Sequence, residues 1–159
     1  MISIQTEDFD LAHEYQQLRQ LSHDAGAIVS FTGLVREMYQ AGDNEQGKVA
    51  TLTLEHYPGM TEKALQEIVA QAQARWELLG VRVIHRIGEL SPADQIVMVA
   101  TASSHRHDAF DAAQFIMDYL KSKAPFWKKQ ATSTGSHWVD SRESDSNAIA
   151  RWQQDKPAS

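Results

Sequence analysis

The chain has 159 residues, no cysteine and a formal net charge of −6. That length predicts one domain able to bury a core without staples, and the missing thiols exclude disulfides, zinc thiolate sites and a persulfide carried on the chain. The acidic balance argues against a general nucleic-acid binder, which needs a basic face for phosphates.

Residues 1–8 show no basic region leading into an apolar core, so no signal peptide is expected there. No apolar run approaches the ~20 residues that span a bilayer. The expected address is cytoplasmic.

Residues 2–6 alternate and predict a short strand. Asp8 or Asp10 then caps a helix carrying Leu11, Tyr15, Leu18 and Leu21 on one face. Residues 26–36 predict a second strand, whose Gly26 and Gly33 point to a bulge or a close backbone approach. Arg36 stands at its end. Residues 37–48 are polar, contain Gly42 and Gly47, and show no periodicity, which predicts a mobile loop. Residues 49–57 predict a strand stopped by Pro58-Gly59. Thr61 is the expected cap of a helix bearing Leu65, Ile68, Val69, Ala72, Trp76 and Leu79, closed by Gly80. Residues 81–88 read as the next strand, and Ser91-Pro-Ala-Asp94 as a turn.

The apolar run Ile96 to Thr101 predicts a buried strand that feeds the most informative stretch. Ser103 or Ser104 is the expected cap of a helix in which Phe110, Ala113, Met117, Leu120 and Ala124 recur at helical spacing. Pro125 stops that helix, because it lacks an N–H and disfavours helical angles in the residue before it. His105, Arg106 and His107 therefore sit at a helix start, where open N–H groups and the dipole favour an anion. Lys121 falls on the last turn, with Lys128 and Lys129 just beyond the break. A strand, a basic helix start and lysines flanking a helix stop predict a site for a phosphorylated ligand.

Blander readings compete. A lysine on a last turn complements the dipole from solvent, and Lys128 and Lys129 beside Phe126 and Trp127 can snorkel from a half-buried strand. His105 and His107, two apart on a helix, point to nearly opposite sides, and no third ligand is spaced to complete a metal set. After the break, residues 126–132 and 137–140 predict a hairpin. A final helix over about 145–152 precedes a polar tail, 153–159. The chain thus reads as one catalytic domain, 1–152, plus that tail. From residue 49 the order strand, helix, two strands, helix, strand is the split βαβ pattern. It predicts an α+β fold with helices over a largely antiparallel sheet, with a βαβ unit added at the N-terminus and a hairpin at the C-terminus.

Several motifs, in order, resemble one family. They are Phe31-Thr-Gly-Leu-Val-Arg36, Leu54-Glu-His-Tyr-Pro-Gly-Met60, Ile84-His-Arg-Ile-Gly-Glu-Leu90, a His105-Arg106 pair followed by Ala109-Phe110, and Phe115-Ile-Met-Asp-Tyr-Leu-Lys121 with Ala124-Pro-Phe-Trp-Lys128. Together, over roughly residues 26–152, they resemble the large, catalytic subunit of molybdopterin synthase. The resemblance implies an α/β hammerhead fold and a sulfurtransferase of molybdenum cofactor biosynthesis. The reaction it implies converts cyclic pyranopterin monophosphate to molybdopterin.

The resemblance also implies its partners and site. Sulfur comes from the C-terminal thiocarboxylate of a small ubiquitin-like subunit that threads its tail into the large one, and two large subunits form a homodimer within a heterotetramer. No cofactor and no metal are implied. By position, the catalytic lysines are Lys121 and Lys128, and the substrate contacts are Arg36, His105, Arg106, Lys129 and Arg142. This chain has Leu34 where the family often has lysine, and Lys128-Lys-Gln130 where it often has Lys-Arg-Glu. The missing cysteine agrees independently with an external sulfur donor. Two rival expectations stand beside this one: a phosphoester hydrolase using His105 or His107, and a non-catalytic module that binds a ubiquitin-like protein.

Overall fold

The computed structural model describes residues 1–41, 45–132, 135–139 and 143–154. In chain order its elements are β1 (Ile2–Gln5), α1 (Leu11–Leu21), β2 (Ala27–Leu34), β3 (Met38–Ala41), β4 (Glu45–His56), α2 (Met60–Arg75), β5 (Gly80–Arg86), β6 (Gly88–Leu90), β7 (Gln95–Ser103), α3 (Arg106–Lys123), β8 (Phe126–Thr132), β9 (Gly135–Val139) and α4 (Glu143–Gln154). The strands divide between two sheets, one in the order β1-β5-β7-β2 and one in the order β3-β4-β8-β9 with β6 also on β4. Only the β1–β5 pairing is parallel among the described ladders. The expected α+β class with largely antiparallel sheets is what the chain forms.

Strand β7 explains the layering. Its odd residues Val97 and Val99 join Val81, Val83, Leu65, Ile68, Phe115, Ile116 and Leu120 in one core. Its even residues Met98, Ala100 and Ala102 join Ile84, Phe9 and Leu18 in a second core on the other face. A strand covered on both faces reads as a continuous apolar run, which is how residues 96–101 look in the sequence. A third cluster, Val35, Leu52, Leu54 and Leu90, lies between the sheets' edges at β4 and β6.

Several sequence expectations need correction. The N-terminal strand–helix–strand supplies both edges of the first sheet, while β4 and β8 pair with each other in the second. Such long-range pairing leaves no local trace. The expected loop over 37–48 is largely an antiparallel hairpin, with Met38 opposite Lys48 and Ala41 opposite Glu45; residues 42–44 lie outside the described residues. Polar strands without alternation carry no periodic signal, so pairing alone distinguishes them from loop. Helix α2 ends at Arg75, leaving Trp76 and Leu79 in the connection to β5. Its N-cap is Gly59, at φ 84°, whose N–H donates to the Glu62 carboxylate at 2.6 Å.

In α3 the buried face is Ala109, Ala112, Ala113, Ile116, Met117 and Leu120, and Phe110 is 62% exposed. The N-cap is His105, without a side-chain cap bond, rather than Ser103 or Ser104. Ser103 is buried, accepts from the His105 N–H at 3.3 Å and donates to the Glu77 carbonyl at 2.8 Å. No helix of the described residues is long and apolar enough to cross a membrane.

Helix α4 is tied down by Trp152. Its ring meets Trp76 and Phe115 edge-on at 5.6 and 5.5 Å, and its Nε1–H donates to Asp118 Oδ2 at 2.6 Å. The Arg75 guanidinium lies 5.1 Å from the Phe115 ring and donates to the Trp152 carbonyl at 3.3 Å. Emptying this site removes a large buried ring, so Trp152→Ala should cost about 3–5 kcal/mol in chemical denaturation. Trp152→Phe keeps most of the packing and loses the charge-assisted bond, which predicts a smaller cost of about 1.5–3 kcal/mol.

Candidate active site at the Pro125 break

The lysine side of the molecule is built on the chain break after α3. Ala124 leaves the helix with extended angles, and its N–H still reaches the Leu120 carbonyl at 3.3 Å. Pro125 follows, and its carbonyl accepts from the buried Thr61 hydroxyl at 2.9 Å. The same Thr61 oxygen accepts from the Tyr57 N–H at 3.0 Å. Thr61, expected as a helix cap, therefore clamps the exit of β4, the start of α2 and the start of β8 at one point.

Beyond the break, β8 alternates. Phe126, Lys128 and Gln130 share the face of their ladder partners His56, Leu54 and Leu52. Trp127 and Lys129 take the opposite face, where Lys129 Nζ lies 5.8 Å from the Trp138 ring. Lys129 is thus placed away from Lys128, and the two expected neighbours do not converge. Gln130 is buried, and its Oε1 has no hydrogen-bond partner among the described residues. Lys121, on the last turn of α3, and Lys128 are both exposed.

Arg36 reaches the same end of the molecule. Strand β2 runs from Ala27 opposite Ser103 to Leu34 opposite Gln95, so Arg36 lies by the turn that precedes β7. Val35 bonds that turn twice, donating to Asp94 O at 2.9 Å and accepting from Ala93 N–H at 2.8 Å. These bonds hold Ala93 in a left-handed conformation at φ 74°.

His105 and Arg106 stand elsewhere. They are exposed at the start of α3, next to the beginning of β2, where the Gly26 N–H donates to Ser103 O at 2.9 Å. A side chain at Gly26 would strike the Ser104 carbonyl, so glycine is needed for this close approach. Lys121 follows Arg106 by fifteen residues of α3, roughly 22 Å along the axis at 1.5 Å per residue. Within one chain Arg36, Lys121 and Lys128 lie toward the end of α3 at which the helix stops, and His105 and Arg106 lie at its start. Arg142 lies outside the described residues. Among them, no cluster of three or more His, Asp or Glu could hold a metal ion.

A sequence profile of the MoaE protein family matches residues 4–123. The chain belongs to the MoaE family. Within it, a Vibrio cholerae protein called molybdopterin synthase catalytic subunit is 57% identical over 152 residues, 96% of this chain and 97% of its own length. The Escherichia coli protein of that name is 55% identical over 151 residues, covering 95% and 97%. The solved structure of the molybdopterin biosynthesis MoaE protein from Burkholderia ambifaria superposes with a TM-score of 0.80 at 52% identity, covering 96% of this chain and 97% of that one.

His85, at the end of β5, is 5% exposed, and its ring stacks on Phe126 with centroids 3.8 Å apart and planes 15° from parallel. Its Nδ1 lies 2.8 Å from the Arg86 carbonyl. Burial, aided by the charges of Lys128 and His56, lowers its pKa from 6.5 to about 4. An isolated histidine in a strand looks like any half-buried polar residue, so only the packing reveals it.

The lowered value has a stability consequence. The unfolded chain takes up a proton near pH 6.5 that the folded chain refuses until about pH 4. The contribution of neutral His85 is therefore complete above 6.5 and is lost as pH falls toward 4, by up to about 3 kcal/mol. Denaturation curves at pH 7.5 and 4.5 should show this loss, and His85→Phe should remove most of it.

Proposed function

We propose that this chain is the catalytic subunit of a molybdopterin synthase, converting cyclic pyranopterin monophosphate to molybdopterin with sulfur from the thiocarboxylate of a small ubiquitin-like subunit. The observation that carries this reading is the placement of Lys121 and Lys128 on either side of one clamped chain break, in a protein with no cysteine. Such a chain cannot hold the transferred sulfur, so the donor must arrive from outside with its reactive carbon already loaded. The names of the relatives support the same reading. A cytoplasmic address goes with it.

The residues divide the work by their settings. Lys121 ends a helix, where the open carbonyls favour a positive charge next to an incoming acyl group. There its ammonium stabilises the carbonyl oxygen of the thiocarboxylate, or its neutral amine attacks the carbon, forming a C–N bond as the C–S bond breaks and the sulfur passes to the precursor. Lys128, on the Phe126 side of β8, positions the pterin precursor, and Arg36 adds a second charge for its phosphate.

Arg106 and His105 join this site from a second copy. A two-fold axis that sets two α3 helices antiparallel brings the helix start of one chain beside the helix end of the other. Exposed apolar residues favour that surface: Phe110 lies on a stripe with Gln114 and Lys121, and the edge strand β2 exposes Phe31 and Leu34 at 43% and 54%. Lys129, facing the other way, is left out of the substrate set.

Turnover tests the assignment. Product should form from the precursor only with the thiocarboxylated small subunit, and a partner lacking its last two residues should give none. Turnover by the chain alone would instead favour a hydrolase, and partner binding without product a non-catalytic module. Lys121→Ala should slow the chemical step with little loss of precursor binding, while Lys128→Ala should lose both. Lys121→Arg should rescue poorly, because guanidinium keeps the charge and cannot give up a proton; near-normal single-turnover rates in it would leave charge as the only requirement there.

Complementation tests the shared site. Arg106→Ala alone should weaken precursor binding by ~1.5–3 kcal/mol, the worth of a charge-assisted contact. At precursor concentrations where the Arg106→Ala and Lys121→Ala chains each turn over only slowly, their co-assembly should restore about a quarter of normal activity, since half the random dimers carry one intact site of two. No recovery would place both residues in one chain's site.

A further inference from the structure

Strand β4 meets β8 with His56 opposite Phe126, so a continued ladder would set Tyr57 opposite Pro125. Proline has no N–H to give to the Tyr57 carbonyl. The Phe126 N–H is also turned away, onto the Ala124 carbonyl at 2.9 Å. Thr61, from the first turn of α2, fills the place of the missing rung. Its backbone N–H donates to the Tyr57 carbonyl at 2.9 Å, and its hydroxyl stands between the Tyr57 N–H and the Pro125 carbonyl. The residue is 0% exposed, so solvent does not reach the hydroxyl. Aromatic contacts brace the same point: Phe126 stacks on His85, and the Trp127 ring lies 6.2 Å from that of Tyr57. Lys128 follows three residues after Pro125.

We propose that Thr61 is a positioning residue for Lys128: its hydroxyl, the last rung between β4 and β8, fixes where β8 leaves the break and so where its lysine stands. Helix α3 is held by its own buried face and keeps Lys121 in place without this bond. Strand β8 instead begins at the break, where Pro125 cannot donate to β4. Without the hydroxyl, the Tyr57 N–H and the Pro125 carbonyl lose their common partner, and the two strand ends part to reach water. A hydroxyl spans that gap with two hydrogen bonds, and a methyl of equal size cannot. The rung stands on the geometry alone; its part in catalysis rests on the function proposed above.

Substitutions in the full-length protein separate the two claims. Thr61→Val keeps the shape and removes the hydroxyl, whereas Thr61→Ser keeps the hydroxyl. The Tyr57 amide should exchange with solvent at least about tenfold faster in Thr61→Val, and near the wild-type rate in Thr61→Ser. Equal exchange in Thr61→Val and the wild type overturns the rung. Thr61→Cys, whose thiol is a weak donor, is read the same way should Thr61→Val not fold. Positioning is read from the affinity for cyclic pyranopterin monophosphate. Thr61→Val should weaken it by about three- to tenfold in the otherwise wild-type chain, and by as much in Lys121→Ala. In Lys128→Ala the same substitution should cost less than about twofold, because the group it places is gone. A loss of equal size in Lys128→Ala is what a merely structural role gives. That result overturns the proposal, as does no loss in the wild-type chain. Single-turnover sulfur transfer should fall with the affinity and recover in Thr61→Ser. Sulfur transfer absent from every protein, wild type included, overturns the functional reading, and the Tyr57 exchange then decides the rung by itself.

Discussion

The hydroxyl of Thr61 fastens together two parts of the chain that are 64 residues apart in sequence. Proline at 125 ends α3 and cannot donate, but its carbonyl must still be satisfied at a half-buried position. Thr61 supplies the donor, and its own lone pair takes the Tyr57 N–H, so both capacities of one buried hydroxyl are used inside the protein. The consequence is geometric. The end of β4, the start of α2 and the start of β8 cannot move independently, and the lysines on either side of the break inherit that rigidity. Sites supported by shared hydrogen bonds of this kind hold their groups to the sub-ångström tolerances that group transfer requires.

Charge is distributed on the same plan. The protein is acidic overall, yet Arg36, Lys121 and Lys128 all lie toward the end of α3 at which the helix stops. Cations on one side of a protein repel one another unless something uncharged separates them or an anion enters. His85 meets the first condition, because burial keeps it neutral where an ordinary surface histidine would add another charge. An anionic precursor and a thiocarboxylate meet the second. This end of the molecule is electrostatically biased toward anionic ligands, and the −6 background discourages unspecific polyanions.

The sequence made some of this legible and hid the rest for identifiable reasons. Residues 96–101 betray a strand covered on both faces, and Pro125 betrays a helix stop, because both effects are local. The pairing of β4 with β8, and the place of β1 and β2 at the edges of the first sheet, depend on partners dozens of residues away. The hairpin of β3 and β4 hid in a polar, glycine-containing stretch for the same reason. Among site residues, Lys121 and Lys128 could be placed relative to the break from helical and strand periods. The distance between Arg106 and Lys121 was also implicit in the helix length, although a helix start and a helix end both read as basic in one dimension. His85 was invisible as a site residue, since neutrality and stacking arise only from tertiary packing.

Helix α3 thus carries two kinds of chemistry on its two ends, and its length keeps them apart within one chain. An anion bound at the Arg106 end cannot also touch Lys121, because roughly 22 Å of helix separates them. Either the two ends serve different ligands, or a second copy folds the distance back. The second arrangement has a physical advantage for a reaction that takes sulfur from a protein tail. In it one chain's helix start would grip the precursor, the tail would enter past the other chain's break, and neither half alone would present a complete site to water or to wrong substrates. Since the chain never holds the sulfur itself, its contribution is confined to where charges and acceptors stand when the two reactants meet. A helix that is rigid, capped by its own geometry and anchored at Pro125 is well suited to fix those positions, and that is why the break, more than any single lysine, organises the site.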